Sequence, residues 1–398
     1  MRIILIITFA FASYLSYCQD ISNLEEPALK DIRDIFSKKN KLKDNLNDIK
    51  PTQFAFVPAV GYSLQTGFAG VLSANAAFQL GKGIEVKQST ITTSLTYSQY
   101  KQTIFPINAD IWSKNGKWNY IADWRFMEYP SETWGLSGHV DPNNDGYTVN
   151  FNYLRLHTLA LRSFAKNWFI GTGISYDRFW NIKESDSEGK PLSKTIITAL
   201  RKQGLTGTQE IAVGFPLRIL YDSRTNQLNP TNGFYLSVTA RKDLQAFNLV
   251  NDNWASLVID ARKYFKVSES GNVLALWFYS WRSEATTPYF MLPSTGWDDN
   301  FNTGRGYIQG RFRSHIFNYF EAEYRFRILK NGLLGGVVFS NFSTYITKLT
   351  TGVDAYAPAA GAGLRIKLNK HSGANLCIDY GIGENGSRGF FVNIGEVF

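Results

Sequence analysis

The chain has 398 residues, a net charge of +9, only 19% charged residues, and 29 Phe, 21 Tyr and 10 Trp among them. Its cations are scattered, with no basic helix and no base-stacking motif, which argues against nucleic acid as a partner and for lipid headgroups and a polar lumen. Past the amino terminus no run reaches the roughly 18 consecutive apolar residues of a membrane-crossing helix, and the aromatic, glycine-containing composition points to many strands with aromatic belts.

The chain opens MRIILIITFAFASYLSYCQD. One cation, an apolar run shorter than a bilayer span and a polar end describe a signal peptide over residues 1–18, cut after Cys18 and exported through the Sec route. Lipid attachment at Cys18 is disfavoured by the bulky Tyr17 before it. The remaining chain then carries one cysteine, Cys377, so a large core or a closed sheet must do what disulfides cannot. Residues 19–51 form a separate polar segment in which Leu29, Ile32, Ile35 and Phe36 fall at helical spacing. It reads either as a short surface helix with a linker or as a docking helix or lumen plug.

From residue 52 the pattern changes to period two. In IAVGFPLRILYDSR one face holds Ile211, Val213, Phe215, Leu217 and Ile219, and the other Ala212, Gly214, Pro216, Arg218 and Asp222. GFYLSVTARK and NWASLVIDARKYF alternate in the same way. These runs reach the roughly 9–11 residues that a tilted strand needs to cross a bilayer. With no water inside the bilayer to satisfy free backbone groups, such strands must close into a barrel. Residues 52–398 are therefore expected to form an all-β, antiparallel transmembrane barrel of about 16 strands, an even number as bacterial barrels require. Periplasmic turns are expected around GKGIE, SKNGK, FAKNW, SRTNQLNPTNG, KVSESGN, LKNG and LNKHSGA, alternating with long outer loops. The last strand, in RGFFVNIGEVF, places Gly389, Val392, Ile394 and the terminal Phe398 at spaced positions. Phe398 is either a recognition signal for barrel-assembly machinery, an interface-belt anchor, or both.

Three stretches resemble the BamA/TamA-like bacterial surface antigen superfamily of outer-membrane barrels. YDSRTNQLNPTNGFYLSV resembles the family's turn between strands eight and nine, through Asp222, Arg224, Asn226, Pro230 and Gly233. GRGY, Gly304 to Tyr307, looks like the signature of the long sixth outer loop, and GLRIKLNKHSGANLCIDYGIGENGSRGFFVNIGEVF is similar to the last three strands. Two departures stand out. The stretch before the barrel is too short for a periplasmic POTRA domain. The family's F-x-D-x-G on strand thirteen reads here Phe339, Ser340, Asn341, Phe342, Ser343.

The resemblance implies that the sixth loop folds into the barrel as a lumen latch, Gly304–Arg305–Gly306–Tyr307, whose arginine meets acidic groups of the inner wall. In HIFNYFEAEYRFRIL, Phe320, Ala322, Tyr324 and Phe326 face lipid. Glu321, Glu323, Arg325 and Arg327 then point inward, because outward Arg or Lys near the midplane costs roughly 2–4 kcal/mol. Asp379 is inward by the same alternation. The latch partners are expected to be Glu323, Glu321, Asn341 and Asp379, with Arg305 pairing mainly with Glu323, Asp379 second and Asn341 a neutral contact, unless these charges form a general lumen network that Arg305 simply joins.

By resemblance the expected function is an accessory in outer-membrane protein insertion or export, working with a separate periplasmic partner. The alternatives are a structural subunit of a larger complex and a partly occluded channel. Catalysis is not expected: His139, His157, His315 and His371 lack metal-ligand spacing, no G-x-S-x-G elbow occurs, and no metal or cofactor is called for.

Overall fold

The computed structural model describes residues 29–36, 52–81, 88–136, 146–185, 208–247, 253–269, 271–348, 352–370 and 372–398. The signal segment, most of residues 19–51, the GKGIE turn and the long stretches 137–145 and 186–207 lie outside them.

The strands are β1 (Thr52–Ser63), β2 (Gly67–Phe78), β3 (Ser89–Ser98), β4 (Thr103–Trp112), β5 (Trp118–Thr133), β6 (Tyr147–Ala165), β7 (Trp168–Ser185) and β8 (Gln209–Asp222). They continue as β9 (Gly233–Asp243), β10 (Trp254–Lys266), β11 (Val273–Ser283), β12 (Ile316–Arg327), β13 (Leu334–Ile346), β14 (Ala355–Lys367), β15 (Asn375–Gly383) and β16 (Arg388–Ile394). They form a single 16-stranded sheet in chain order, β1 to β16. Each strand is antiparallel to the next, as in the unbroken β1–β2 ladder from Thr52↔Phe78 to Ser63↔Gly67.

Alternation sets the inside and outside of this sheet. On β12, Tyr319, Glu321, Glu323 and Arg325 are buried, while Phe320 is exposed. β1 carries the most exposed large apolar side chains among the described residues, Val60 at 81%, Phe56 at 73% and Phe54 at 71%. Such an apolar outer face is stable against lipid, so the sheet is a transmembrane barrel.

The short turns fall at one rim as expected. The outer connections correct the expectation of long loops throughout: residues 64–66, 99–102 and 384–387 are as short as the turns, whereas 284–315 is long. Strand height also varies around the wall, from 19 residues in β6 to 7 in β16.

At the seam β1 and β16 are neighbours, yet no hydrogen-bonded ladder joins them among the described residues. A Cβ at Gly61 would lie 3.7 Å from Val392 Cγ2. Gly61 alternates with the outward residues of β1 while Val392 is outward on β16. Partners in a regular antiparallel ladder share a face, so the two strands meet out of register.

The lumen is packed instead of polar throughout. One aromatic cluster joins Tyr129, Phe151, Tyr153 and Phe179 of the wall to Tyr289, Phe290 and Trp297 of the 284–315 loop. A second joins Tyr264, Trp277, Tyr319 and Tyr345 to Tyr307 and Phe398.

At the turn rim a short helix, α1 (Ile32–Phe36), is docked through the residues around it. The Lys30 amide donates to the Asn331 carbonyl at 3.0 Å, the Lys370 amide to Asp31 Oδ2 at 3.2 Å, and Lys370 Nζ pairs with Asp34 at 3.2 Å. The N-terminal segment thus rests on the β12–β13 and β14–β15 turns.

Candidate functional site: a lumen latch and its anchors

The loop between β11 and β12 folds back into the barrel, where Thr295, Asp298, Thr303, Arg305, Tyr307 and Gln309 are all buried. Buried loop backbone needs partners, and the loop supplies its own. The Thr295 amide donates to Phe312 O at 3.0 Å and the Gly310 amide to Thr295 O at 2.9 Å. Asp298 Oδ1 accepts from the Thr303 amide at 2.7 Å and from the Thr303 hydroxyl at 2.7 Å. The loop therefore reaches the wall as a preshaped finger.

At the tip, Gly304 and Gly306 have φ of +79° and +114°, values that favour glycine. A Cβ at Gly306 would lie 2.7 Å from Ala359 Cβ. The two glycines let the backbone turn against β14 and project Arg305 between them.

Arg305 is 1% exposed. Its Nη2 bonds both Glu321 Oε1 and Glu323 Oε1, and its Nη1 donates to Asp379 Oδ2 at 2.6 Å. The guanidinium lies over the Phe339 ring at 3.8 Å, and the Arg305 carbonyl accepts from Asn341 Nδ2 at 2.9 Å. Burial alone would lower its pKa, but Glu321, Glu323 and Asp379 hold it well above the ordinary value. Glu321 and Asp379 thus share the contact with Glu323, and Asn341 holds the loop backbone, a role that needs no charge.

The network extends beyond the tip. Arg325 Nε donates to Glu323 Oε2 at 2.8 Å, Arg365 Nη1 to Asp379 Oδ1 at 2.5 Å, and Arg365 Nε to Glu396 Oε2 at 2.8 Å. Tyr319 OH donates to Glu321 Oε2. Charges taken this far from water are stable only when each has opposed partners, and here the arginines and carboxylates alternate across β12, β14 and β15.

Tyr307 completes the tip. Its OH donates to Pro358 O at 2.6 Å and accepts from the Glu384 amide at 3.0 Å. A Cβ at Gly383 would lie 2.6 Å from the Tyr307 ring, and one at Gly381 2.8 Å from the Gly306 amide. Asp379, Gly381 and Gly383 sit at every second position of β15, so one inward face presents a charge and then two gaps. That D-x-G-x-G spacing is the sequence signal for the latch seat; Arg365, Glu396, Gly381 and Gly383 were not singled out from sequence.

A second arm of the loop docks on the opposite wall. Arg125 bonds the Asp299 carbonyl, and Arg155 Nη1 lies 3.4 Å from Asp299 Oδ1. The loop is pinned from both sides of the lumen.

The turn motif closes the lumen from the turn rim. Arg224 makes a bidentate pair with Asp222, at 3.0 Å and 3.1 Å, beneath the Tyr235 ring at 4.4 Å. Asn226 Oδ1 accepts from the Leu228 amide at 2.7 Å, and its Nδ2 donates to Ser372 O at 3.1 Å. Pro230 is buried, and Gly233 takes a φ of +112° where β9 begins.

The carboxyl terminus departs from the sequence expectation. Gly389, Val392 and Ile394 lie on or within β16, with Val392 and Ile394 facing outward. Phe398 is neither on that strand nor at the bilayer surface. After Ile394 the chain turns inward, the Glu396 amide donates to Leu228 O at 2.8 Å, and the Phe398 ring stacks on Trp277 at 5.1 Å. Arg325 Nη2 donates to the Phe398 carbonyl at 2.9 Å, and Asn302 Nδ2 of the loop donates to Val397 O at 2.6 Å. Latch, acids, turn and tail, far apart in sequence, form one connected assembly.

These features define a sixteen-stranded transmembrane barrel with an inserted, ion-paired loop and an unlaced seam. Among solved structures the fold is similar to BamA from Haemophilus ducreyi lacking POTRA domains 1–3, with a TM-score of 0.54, 11% identity, and 87% of this chain aligned to 70% of that one. It is also similar to CdiB from Acinetobacter baumannii, with a TM-score of 0.53, 9% identity, and 87% of this chain aligned to 60% of that one. The barrel is thus of the BamA and CdiB type in fold. No family model matches the sequence, and no curated protein does.

Proposed function

We propose that the chain is an outer-membrane barrel that assists the insertion or export of other outer-membrane proteins, with its seam as the working part. The observation that carries this reading is the unlaced junction of β1 and β16. β1 runs Thr52–Ser63, but β16 ends at Ile394 and the chain then turns into the lumen. The contacts Gly61–Val392 and Leu64–Gly389 lie toward the loop rim. The turn-rim half of β1 has no strand on its seam side among the described residues. Unpaired backbone groups in lipid are costly, and an open strand edge is relieved by pairing with another chain. A client strand fits that need. The work is an exchange of backbone hydrogen bonds, so the reading calls for no catalytic side chain and no cofactor.

The docked N-terminal segment suits a separate periplasmic partner, since it already lies on the turns of β12–β15. The channel alternative is disfavoured by a lumen filled with the loop's aromatic and ionic contacts. A photo-crosslinking residue in place of Phe56 on β1 is expected to capture nascent barrel proteins in cells, while one in place of Val338, outward on β13, captures none. Equal capture at both positions, or none at Phe56, would remove the seam from the account.

A further inference from the structure

On the lipid-facing surface of β5, β6 and β7 a furrow of about 590 Å³ is lined by Tyr120, Trp124, Leu156, Thr158, Ala160 and Ile174, among others. Its floor follows from register: Tyr120↔Ala160 and Ala122↔Thr158 across β5–β6, then Ala160↔Thr172 and Thr158↔Ile174 across β6–β7. Small residues on the inner rows stand between aromatic and aliphatic walls. One wall is held in place by Trp124 Nε1, which donates to Thr158 Oγ1 at 3.2 Å.

Beyond its turn-rim end the surface is basic. Arg162 follows Ala160 by two residues on the same face of β6, about 7 Å along the strand. It pairs in register with Trp118 and lies over that ring at 5.7 Å. Lys114 and Lys117 in the β4–β5 turn and Lys166 in the β6–β7 turn are exposed beside it. The Ser163 amide donates to Lys117 O at 2.8 Å, tying the two turns together. No Asp or Glu occurs in residues 111–122 or 160–176, and none of the four cations pairs with a carboxylate among the described residues.

We infer that this furrow is a specific site for an anionic phospholipid of the periplasmic leaflet, one acyl chain lying on the Thr158–Ala160–Thr172 floor and the phosphate held by Arg162, Lys117 and Lys166. Polarity and position agree. The apolar groove runs along the strand into the bilayer, and the cations stand where headgroups begin, beside the Trp118 and Trp168 belt. A second copy of the chain fits less well, because two such faces would bring two basic surfaces together. The inference rests on the membrane setting of the barrel and not on the insertion role.

The test is native mass spectrometry of the full chain in micelles doped with equal phosphatidylglycerol and phosphatidylcholine. The unaltered chain is expected to retain one phosphatidylglycerol in preference to phosphatidylcholine, by about fivefold for each engaged cation. Arg162→Ala with Lys166→Ala should cut the preference by about 25-fold, two cations' worth, and Thr158→Trp, which fills the floor, should abolish retention. Val338→Trp, an equally bulky outward change on β13, should leave both intact; it also controls for folding, checked by heat-dependent gel mobility. Equal retention in T158W and V338W, an unchanged preference without Arg162 and Lys166, or a dimer formed through this face in place of bound lipid would each overturn the inference.

Discussion

Arg305→Ala is expected to destabilise the barrel by about 3–5 kcal/mol, the cost of stripping one partner from a buried ion network. Without the guanidinium, Glu321 keeps the Tyr319 hydroxyl, while Glu323 and Asp379 keep Arg325 and Arg365. Arg365 still lies between Glu323 and Asp379, but Glu321 then faces them without the cation that joined all three. Arg305→Lys should recover little, because an ammonium cannot span Glu321, Glu323 and Asp379 as a planar fork does, nor lie flat on Phe339. The measurement is the urea midpoint in micelles, with proteolysis of the 284–315 loop as the local readout. Adding Glu321→Gln to the Arg305→Ala chain should restore part of the loss, since Glu321 is the carboxylate whose only described ion pair is with Arg305. A midpoint unchanged in Arg305→Ala would mean that the loop is held by its aromatic contacts alone.

Phe398→Ala is expected to cost about 3–5 kcal/mol, as for other buried Phe to Ala changes. The ring is 3% exposed, lies between Trp277 and Tyr264, and its removal leaves a gap beside Arg325. A residue that merely touched the bilayer surface would lose far less. Removing Phe398 outright should cost more than Phe398→Ala, because the chain end moves away from Arg325 and the Val397 contact with Asn302 loosens. Accelerated proteolysis near Asn302 in both variants would report that coupling. Stability within about 0.5 kcal/mol of the unaltered chain, the range of ordinary surface substitutions, would place Phe398 outside the lumen.

Much of this barrel is legible in its sequence because lipid imposes a simple rule. Outward residues must be apolar, so period-two alternation shows the strands, their number, and the inward direction of Glu321, Glu323 and Asp379. Alternation cannot say which inward groups meet, since that depends on a long loop whose path is set by tertiary contacts. Alternation gives no ground to rank Glu323 ahead of Asp379, and the folded loop engages both together with Glu321. Nor does alternation say where a strand stops. Phe398 keeps the parity of Val392 and Ile394, with Glu396 between them, but Gly395 turns the chain inward with a φ of +90°, and Phe398 leaves the wall. Asn341 carries no charge where the family resemblance has aspartate. It is a backbone contact, and the acids on β12 and β15 supply the charge.

Insertion of a client through the wall requires that β1 and β16 part. Cysteines at Gly61 and Val392 would place their Cβ atoms 3.9 Å apart, a distance that a disulfide spans, and since the two side chains leave the sheet on different faces, the crosslinked fraction is first counted on a non-reducing gel. Gly61→Cys/Val392→Cys, oxidised in native membranes with its partners present, is expected to keep its heat-dependent gel mobility and to stop inserting client barrels; reduction should restore insertion. An oxidised, fully crosslinked protein that inserts clients at the rate of the reduced one would contradict the account.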